Sequence, residues 1–172
     1  KFFNDAVNIG VGEYKSYIIK NTPAMEQRVR DLVDLLDKNQ ITYSAAKAGT
    51  SNGYNYSTRK VENFSIDGTD ILISSFQPKS ALVKVLFEPN SKLVDSVTYD
   101  ITAWSLPYVY GVTAFATKQN LPSAGVWTPA VKTTHDVNSN YGYALQWTGI
   151  QTVKTVAQLL KRGIKLRYVE EP

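Results

Sequence analysis

The hydrophobic pattern of the first 45 residues predicts a strand, a helix and a second strand. Residues 14–20, YKSYIIK, are rich in β-branched and aromatic side chains, which is typical of a strand. Pro23 suits the first turn of a helix, and the apolar residues behind it recur at helical spacing: Met25, Val29, Leu32, Val33 and Leu36. The pattern predicts a helix of about 16 residues, or about 24 Å. A second strand is predicted at residues 41–45.

The next segment predicts a turn, two strands and a second helix. Asn52 and Gly53 form a turn dipeptide inside a loop or irregular hairpin. Residues 61–66 follow as a short strand. The apolar run at residues 70–75, DILISS, is bounded by polar turns, as a buried parallel strand is. Pro78 opens the next predicted helix.

The end of the chain repeats the order strand, helix, strand. Residues 141–147, YGYALQW, read as a strand, and a helical stripe follows that Gly163 should end in a left-handed conformation. Residues 164–169, IKLRYV, alternate as a strand does. The likeness to residues 14–45 leaves both duplication and coincidence open. Either way, it favours an α/β fold in which one mostly parallel sheet carries helices on both faces.

Residues 95–111, DSVTYDITAWSLPYVYG, form the most aromatic stretch of the chain. Asp100 can accept the free N–H groups of a helix that begins at Ile101. Pro107 should limit that helix, because the residue before a proline avoids the helical region, and Gly111 allows a turn. The stretch is either an aromatic knot that joins two half-sheets or one wall of a ligand groove.

Candidate ligand-binding residues follow from the predicted sheet. In an open α/β sheet the ligand crevice lies outside the carboxyl ends of the strands. The candidates are polar or aromatic side chains at those ends or beside them: Asn21, Ser75, Gln77, Lys79, Trp104, Tyr108 and Trp147. The alternative is that they are ordinary capping and loop residues.

Composition narrows the class of protein. A chain of 172 residues fits one domain, and we expect residues 1–10 to be a linker or helix end from a preceding domain and residues 11–172 to be that domain. The net charge is +4, but the bases are dispersed, which does not favour nucleic-acid binding. No apolar run approaches the ~20 residues that span a bilayer.

The chemistry-bearing residues do not form a recognisable catalytic set. The chain has no cysteine, which excludes a thiolate metal site and a cysteine nucleophile. Its single histidine, His135, has no second histidine with which to share a zinc ion. Ser74 and Ser75 lie where a nucleophile elbow would, but the flanking glycines are missing. We predict no catalytic residues, no metal and no cofactor.

Two segments carry a resemblance to a known family. Residues 62–93, ENFSIDGTDILISSFQPKSALVKVLFEPNSKL, and residues 95–111 resemble the C-terminal region of exported bacterial zinc carboxypeptidase-like proteins. Those proteins are similar to carboxypeptidase A in their N-terminal half. The domain behind the peptidase resembles class I glutamine amidotransferases. The resemblance therefore implies a flavodoxin-like three-layer α/β/α fold with a mostly parallel sheet.

The family's functional residues have no match in this sequence. Neither the peptidase HxxE zinc motif nor the amidotransferase Cys-His-Glu triad is found. The resemblance thus implies a non-catalytic C-terminal accessory domain, structural or substrate-positioning, in an exported protein that is periplasmic or at the cell surface. Its expected partner is the preceding peptidase domain, whose activity is left open. The alternative is a binding module for a peptide, glycan or cell-wall fragment at the carboxyl ends of the strands.

Overall fold

The structure is a computed structural model that describes residues 2–90, 105–129 and 141–169, apart from residues 146 and 148. The chain divides into two compact units, Lys1–Pro129 and Ala130–Pro172. Each unit is described by itself, so the single domain expected for residues 11–172 stays a prediction. The predicted helix start at Asp100 and Ile101, and His135, lie outside the described residues.

The described part of the first unit combines short helices with one sheet. Its α-helices are α1 (Phe2–Asn8), α2 (Glu26–Lys38), α3 (Ser80–Phe87) and α4 (Leu106–Tyr110). A 3-10 helix at Pro23–Met25 leads into α2. The strands are β1 (Ser16–Ile19), β2 (Ser44–Ala46), β3 (Gly49–Asn55), β4 (Lys60–Ile66), β5 (Ile71–Ser74), β6 (Ala114–Thr117) and β7 (Ser123–Gly125).

The sheet is antiparallel throughout. The strand order is β4-β3-β6-β1-β5-β2-β7, and every hydrogen-bonded pair in it is antiparallel. β1 lies in the middle, where Tyr17 is opposite Ile73 of β5 on one side and Ala116 of β6 on the other. The sheet curls into a half-barrel.

The predicted fold class is therefore wrong. A mostly parallel, flavodoxin-like or class I glutamine amidotransferase-like three-layer α/β/α arrangement is contradicted by the antiparallel half-barrel. The continuous apolar runs that suggested parallel strands have another cause. Tyr17 and Ile19 of β1 belong to one core cluster, whereas Ile18 between them belongs to a second cluster. A strand covered on both faces reads as uniformly apolar whichever way its neighbours run.

Helices cover one face of the sheet. The apolar stripe of α2 and the buried residues Val83 and Phe87 of α3 pack in the larger cluster with Tyr17. On the other face the rings of Phe64 and Phe115 stack with centroids 4.1 Å apart and planes 8° apart. Burial of each such ring contributes roughly 2 to 3 kcal/mol, so both faces add to stability.

The predicted helix after residue 22 and the strands near residues 61–66 and 70–75 are confirmed, as is the helix after Pro78. The predicted turn at Asn52 and Gly53 is wrong, because both lie inside β3. A Cβ atom on Gly53 would lie 2.5 Å from the carbonyl oxygen of Ala116. This glycine therefore allows two strands to approach closely, and the turn comes after β3.

The end of the aromatic stretch is partly as predicted. Gly111 caps α4 in the left-handed conformation, with φ of 59°. Pro107 lies in the first turn of α4 rather than ending a helix, because a proline there loses no intrahelical hydrogen bond.

The second unit contains one described helix, α5 (Ile150–Lys161), which confirms the predicted helical stripe. Gly163 follows with φ of 73°, as expected of a left-handed stop. The strands predicted at residues 141–147 and 164–169 are wrong, because the described residues there are not assigned to any strand. Many of their large side chains, including Tyr143 and Tyr168, are exposed.

Candidate functional site

Ser75 lies at the end of β5, where it is completely buried. Its Oγ donates a hydrogen bond of 2.9 Å to the carbonyl oxygen of Tyr14. The neighbouring Ser74 Oγ accepts a hydrogen bond from the backbone N–H of Phe76 at 3.1 Å. Both hydroxyl groups are thus bonded to the backbone, and Ser75 holds the chain before β1 against the end of β5.

Gln77 is a second buried polar side chain at the same junction, only 3% exposed. Its Nε2 donates to the carbonyl oxygens of Thr42 at 3.0 Å and Ser74 at 2.7 Å. Its Oε1 accepts the backbone N–H of Thr42 at 2.8 Å. One side-chain amide thus forms hydrogen bonds with three backbone groups. These bonds connect the segment before β2 to the segment between β5 and α3.

Asn21, a further predicted site residue, lies apart from Ser75 in the first unit. The backbone N–H of Asn21 donates to Oδ1 of Asp70 at 3.1 Å, at the far end of β5 from Ser75. Lys79 is half-buried just before α3. Trp147 belongs to the second unit and is 65% exposed, and Trp104 lies outside the described residues.

Tyr108 is a predicted site residue that lines a cavity. Its hydroxyl lies 3.2 Å from that of Tyr54, and its ring meets Tyr56 edge-on with centroids 5.2 Å apart. The cavity measures about 210 Å³ and extends to Met25 and Gly111. Burial, helped by the bond to Tyr54, raises the pKa of Tyr108 to about 12.

A larger pocket lies against α2 and was not predicted from the sequence. It measures about 410 Å³, and we call it the Tyr43–Trp127 pocket. It is lined by side chains of α2 and by residues from two later segments: Gln27, Arg30, Val33, Asp34, Asp37, Tyr43, Trp127 and Pro129. The α2 residues recur three or four positions apart, which places them along one face of the helix.

The two aromatic rings of the pocket are held at a steep angle. The centroids of Tyr43 and Trp127 are 6.2 Å apart, and the ring planes meet at 71°. Trp127 is 7% exposed, and its Nε1–H donates to the carbonyl oxygen of Thr69 at 2.9 Å. This bond fixes the position of the indole.

Carboxylates border the aromatic corner that Tyr43 and Trp127 form. Asp34 and Asp37 are exposed, whereas Tyr43 is half-buried. Burial raises the pKa of Tyr43, and the hydrogen bond and charge of Asp37 and the charge of Asp34 add to that effect. Both carboxylates therefore act on the Tyr43 hydroxyl.

Among the described residues, the one basic side chain that lines the pocket is bound by an acid. Arg30 donates to Oε1 of Glu26 from Nε at 3.1 Å and from Nη2 at 2.6 Å. Gln27 donates from Nε2 to Asp31 at 3.1 Å. Glu26 offsets the charge of Arg30, so the described side chains that line the pocket carry a net negative charge although the protein is basic.

A local signal for this pocket was present in the sequence. Asp37 lies in the last turn of α2, where the helix dipole favours cations and disfavours carboxylates. An acid at such a position is unfavourable for the helix itself, and in the fold it lines the pocket. Trp127 gave no comparable signal, because only the folded chain brings it to Tyr43.

Comparison with models of protein families, with curated protein sequences and with solved structures found no match. The described residues contain no group of three or more His, Cys, Asp or Glu side chains placed to hold a metal ion. Within the same part of the chain, none of the helices combines the length and apolar character needed to cross a bilayer.

Proposed function

We propose that this chain is a non-catalytic accessory domain of a larger exported protein, structural or substrate-positioning in role. The observation that supports it is the use of polar side chains at the junction of β5 and α3. Ser75 and Gln77 direct their hydrogen bonds to the backbone of Tyr14, Thr42 and Ser74. A buried hydroxyl that already donates to a carbonyl is poorly placed to act as a nucleophile.

The proposed context comes from the sequence resemblance at residues 62–93 and 95–111. It suggests a zinc carboxypeptidase-like parent, periplasmic or at the cell surface, with the peptidase domain as the partner. The antiparallel half-barrel differs from the fold that this resemblance implies. The resemblance therefore supports the partner and the compartment through sequence only.

The test is a hydrolysis assay on the purified chain. Peptide substrates are incubated with the protein and added Zn²⁺, and with a heat-treated sample as the control. We expect no hydrolysis above the control, and no labelling of Ser75 by a fluorophosphonate probe. Hydrolysis that exceeds the control and is lost in Ser75→Ala, with that variant still folded by circular dichroism, would overturn the proposal.

A second candidate is a binding module for a peptide, glycan or cell-wall fragment. It is favoured by Tyr108, which is 37% exposed and lines the 210 Å³ cavity beside Tyr56. The site cannot lie at shared carboxyl ends of strands, because neighbouring strands of this sheet run in opposite directions.

Calorimetric titration with blocked peptides, oligosaccharides and soluble cell-wall fragments tests this candidate. We expect Tyr108→Ala to abolish binding of the active class, because the cavity loses its exposed ring. Val109→Ala is the matched control, since Val109 is 61% exposed and does not line the cavity. Equal affinity of the two variants for every ligand that binds would refute the candidate.

A further inference from the structure

We propose that the Tyr43–Trp127 pocket binds the ammonium group of a lysine side chain carried by a peptide. This inference goes beyond the proposed function, because neither candidate above uses this pocket or names a ligand for it. It depends on the aromatic corner, on the charges at the pocket and on the size of the pocket.

The aromatic corner suits an ammonium group. Tyr43 and Trp127 both line the pocket, with ring centroids 6.2 Å apart and ring planes at 71°. A cation within about 6 Å of an aromatic face is attracted by the ring quadrupole, most strongly for tryptophan. The hydrogen bond from Trp127 to Thr69 holds the indole in place. Ligand binding therefore costs little conformational entropy at this side chain.

The charges favour a cation over an anion. Asp34 and Asp37 line the pocket, and both lie in the second half of α2. The carbonyl end of that helix carries partial negative charge, which adds to the attraction that the carboxylates exert on a cation. Arg30 also lines the pocket and repels a cation. Its pairing with Glu26 weakens that repulsion.

The size and the apolar lining fit a lysine side chain. A volume of about 410 Å³ lies in the range of ~300–1,000 Å³ that is typical of small-ligand sites. Val33 and Pro129 supply apolar surface in the same lining. The methylene stem of a lysine can pack on such surface while its charged end reaches the carboxylates.

The test is a titration of the ¹⁵N-labelled protein followed by nuclear magnetic resonance. The ligands are three blocked alanine pentapeptides whose central residue is lysine, norleucine or glutamate. The indole cross-peak of Trp127 is identified by elimination with Trp104→Phe and Trp147→Phe. We expect this cross-peak to shift saturably as the lysine peptide is added. The affinity of the protein should be about tenfold higher for the lysine peptide than for the norleucine peptide.

Isosteric variants separate a specific site from general attraction to an acidic surface. Asp34→Asn together with Asp37→Asn should lower the affinity for the lysine peptide about tenfold. Glu62→Gln is the control, because it removes a carboxylate from β4, at the opposite edge of the sheet from β7, and does not line the pocket. It should change affinity less than about twofold, and thermal melts verify that all variants are folded.

Three results would overturn the proposal. One is a lysine peptide that binds no tighter than the norleucine peptide. Another is an equal loss of lysine-peptide affinity in the Glu62 variant and in the Asp34 and Asp37 double variant. Tighter binding of the glutamate peptide would also overturn it, since the sign of the pocket's charge would then be wrong.

Discussion

The Nζ atom of Lys20 lies 2.5 Å from Oδ2 of Asp70, a carboxylate whose side chain is only 1% exposed. Lys20 directly follows β1 and Asp70 directly precedes β5, so the ion pair joins the two central strands where they meet. Asp70 also accepts the backbone N–H groups of Asn21 at 3.1 Å and Asp67 at 2.8 Å. A buried charge with this many donors is well compensated, and its loss would leave those donors without an acceptor.

Asp70→Asn should therefore destabilise the protein. The neutral amide removes the buried charge and turns an N–H group toward existing donors, at a cost of about 2 to 4 kcal/mol. Urea denaturation measures the change. Asp67→Asn is the matched control, because Asp67 contacts the same Lys20 Nζ at 2.7 Å but its side chain is 67% exposed. That variant should lose less than about 1 kcal/mol, and an equal loss in both would contradict the argument.

Gly53→Ala should destabilise the sheet for a steric reason. The added Cβ would lie 2.5 Å from the carbonyl oxygen of Ala116, so β3 or β6 would have to move. We expect a loss of about 2 to 3 kcal/mol in the free energy of unfolding. Gly49→Ala, in the same strand, meets no atom within 4 Å and should change stability by less than about 1 kcal/mol. Thermal melts of the pair check the prediction, which fails if both variants melt together.

The helices could be predicted from the sequence because their signals are local. The apolar stripe of α2 recurs at helical spacing, and its buried residues are the ones that the spacing indicates. The left-handed glycine stops were also predictable, since Gly111 and Gly163 each follow a helical segment and few other residues adopt positive φ.

The direction of neighbouring strands could not be predicted, although the strand–helix–strand unit itself is present. β1 and β2 both run antiparallel to β5, so they are parallel to each other, as the connection through α2 suggests. β5 is inserted between them, so β1 and β2 each pair with an antiparallel neighbour instead of with each other. The hydrophobic pattern of β1 and β2 does not show that a strand from later in the sequence lies between them.

The candidate site was hard to predict for a similar reason. Ser75 and Gln77 looked available to a ligand, but their partners Tyr14 and Thr42 are 61 and 35 residues away in the chain. The aromatic corner likewise needs Trp127, which only the folded chain places beside Tyr43. Local patterns report which side chains are polar or aromatic, whereas pairing between distant segments decides whether they are free to bind.

Gln77→Met tests the structural role assigned to the buried amide. Methionine has a similar shape but leaves the N–H of Thr42 and the carbonyl oxygens of Thr42 and Ser74 without this partner. We expect a loss of about 2 to 3 kcal/mol, measured by urea denaturation. Lys79→Met, two positions on and half-buried, should cost less than about 0.5 kcal/mol. A Gln77 variant as stable as the Lys79 variant would show that the amide bonds are dispensable.

Stability should fall at alkaline pH because the fold raises the pKa of several tyrosines. Burial raises the pKa of Tyr56 well above the value of 10.0 for an unperturbed tyrosine, and it raises the pKa of Tyr108 to about 12. Between pH 10 and pH 12 the unfolded chain has released protons that the folded chain retains. The unfolded state then binds fewer protons, and the free energy of unfolding decreases as pH rises.

The ionisation of these tyrosines should change the midpoint of urea unfolding little below about pH 10. Between about pH 10 and pH 12 the midpoint should fall to lower urea concentration. Tyrosinate absorbance, followed in parallel, reports the ionisation. Tyr108→Phe should make the fall shallower, because one of the groups with raised pKa is removed. Tyr168→Phe is the control, since Tyr168 is 82% exposed and lies in the second unit. If the two variants lose stability with the same slope, the cavity tyrosines do not control the alkaline transition.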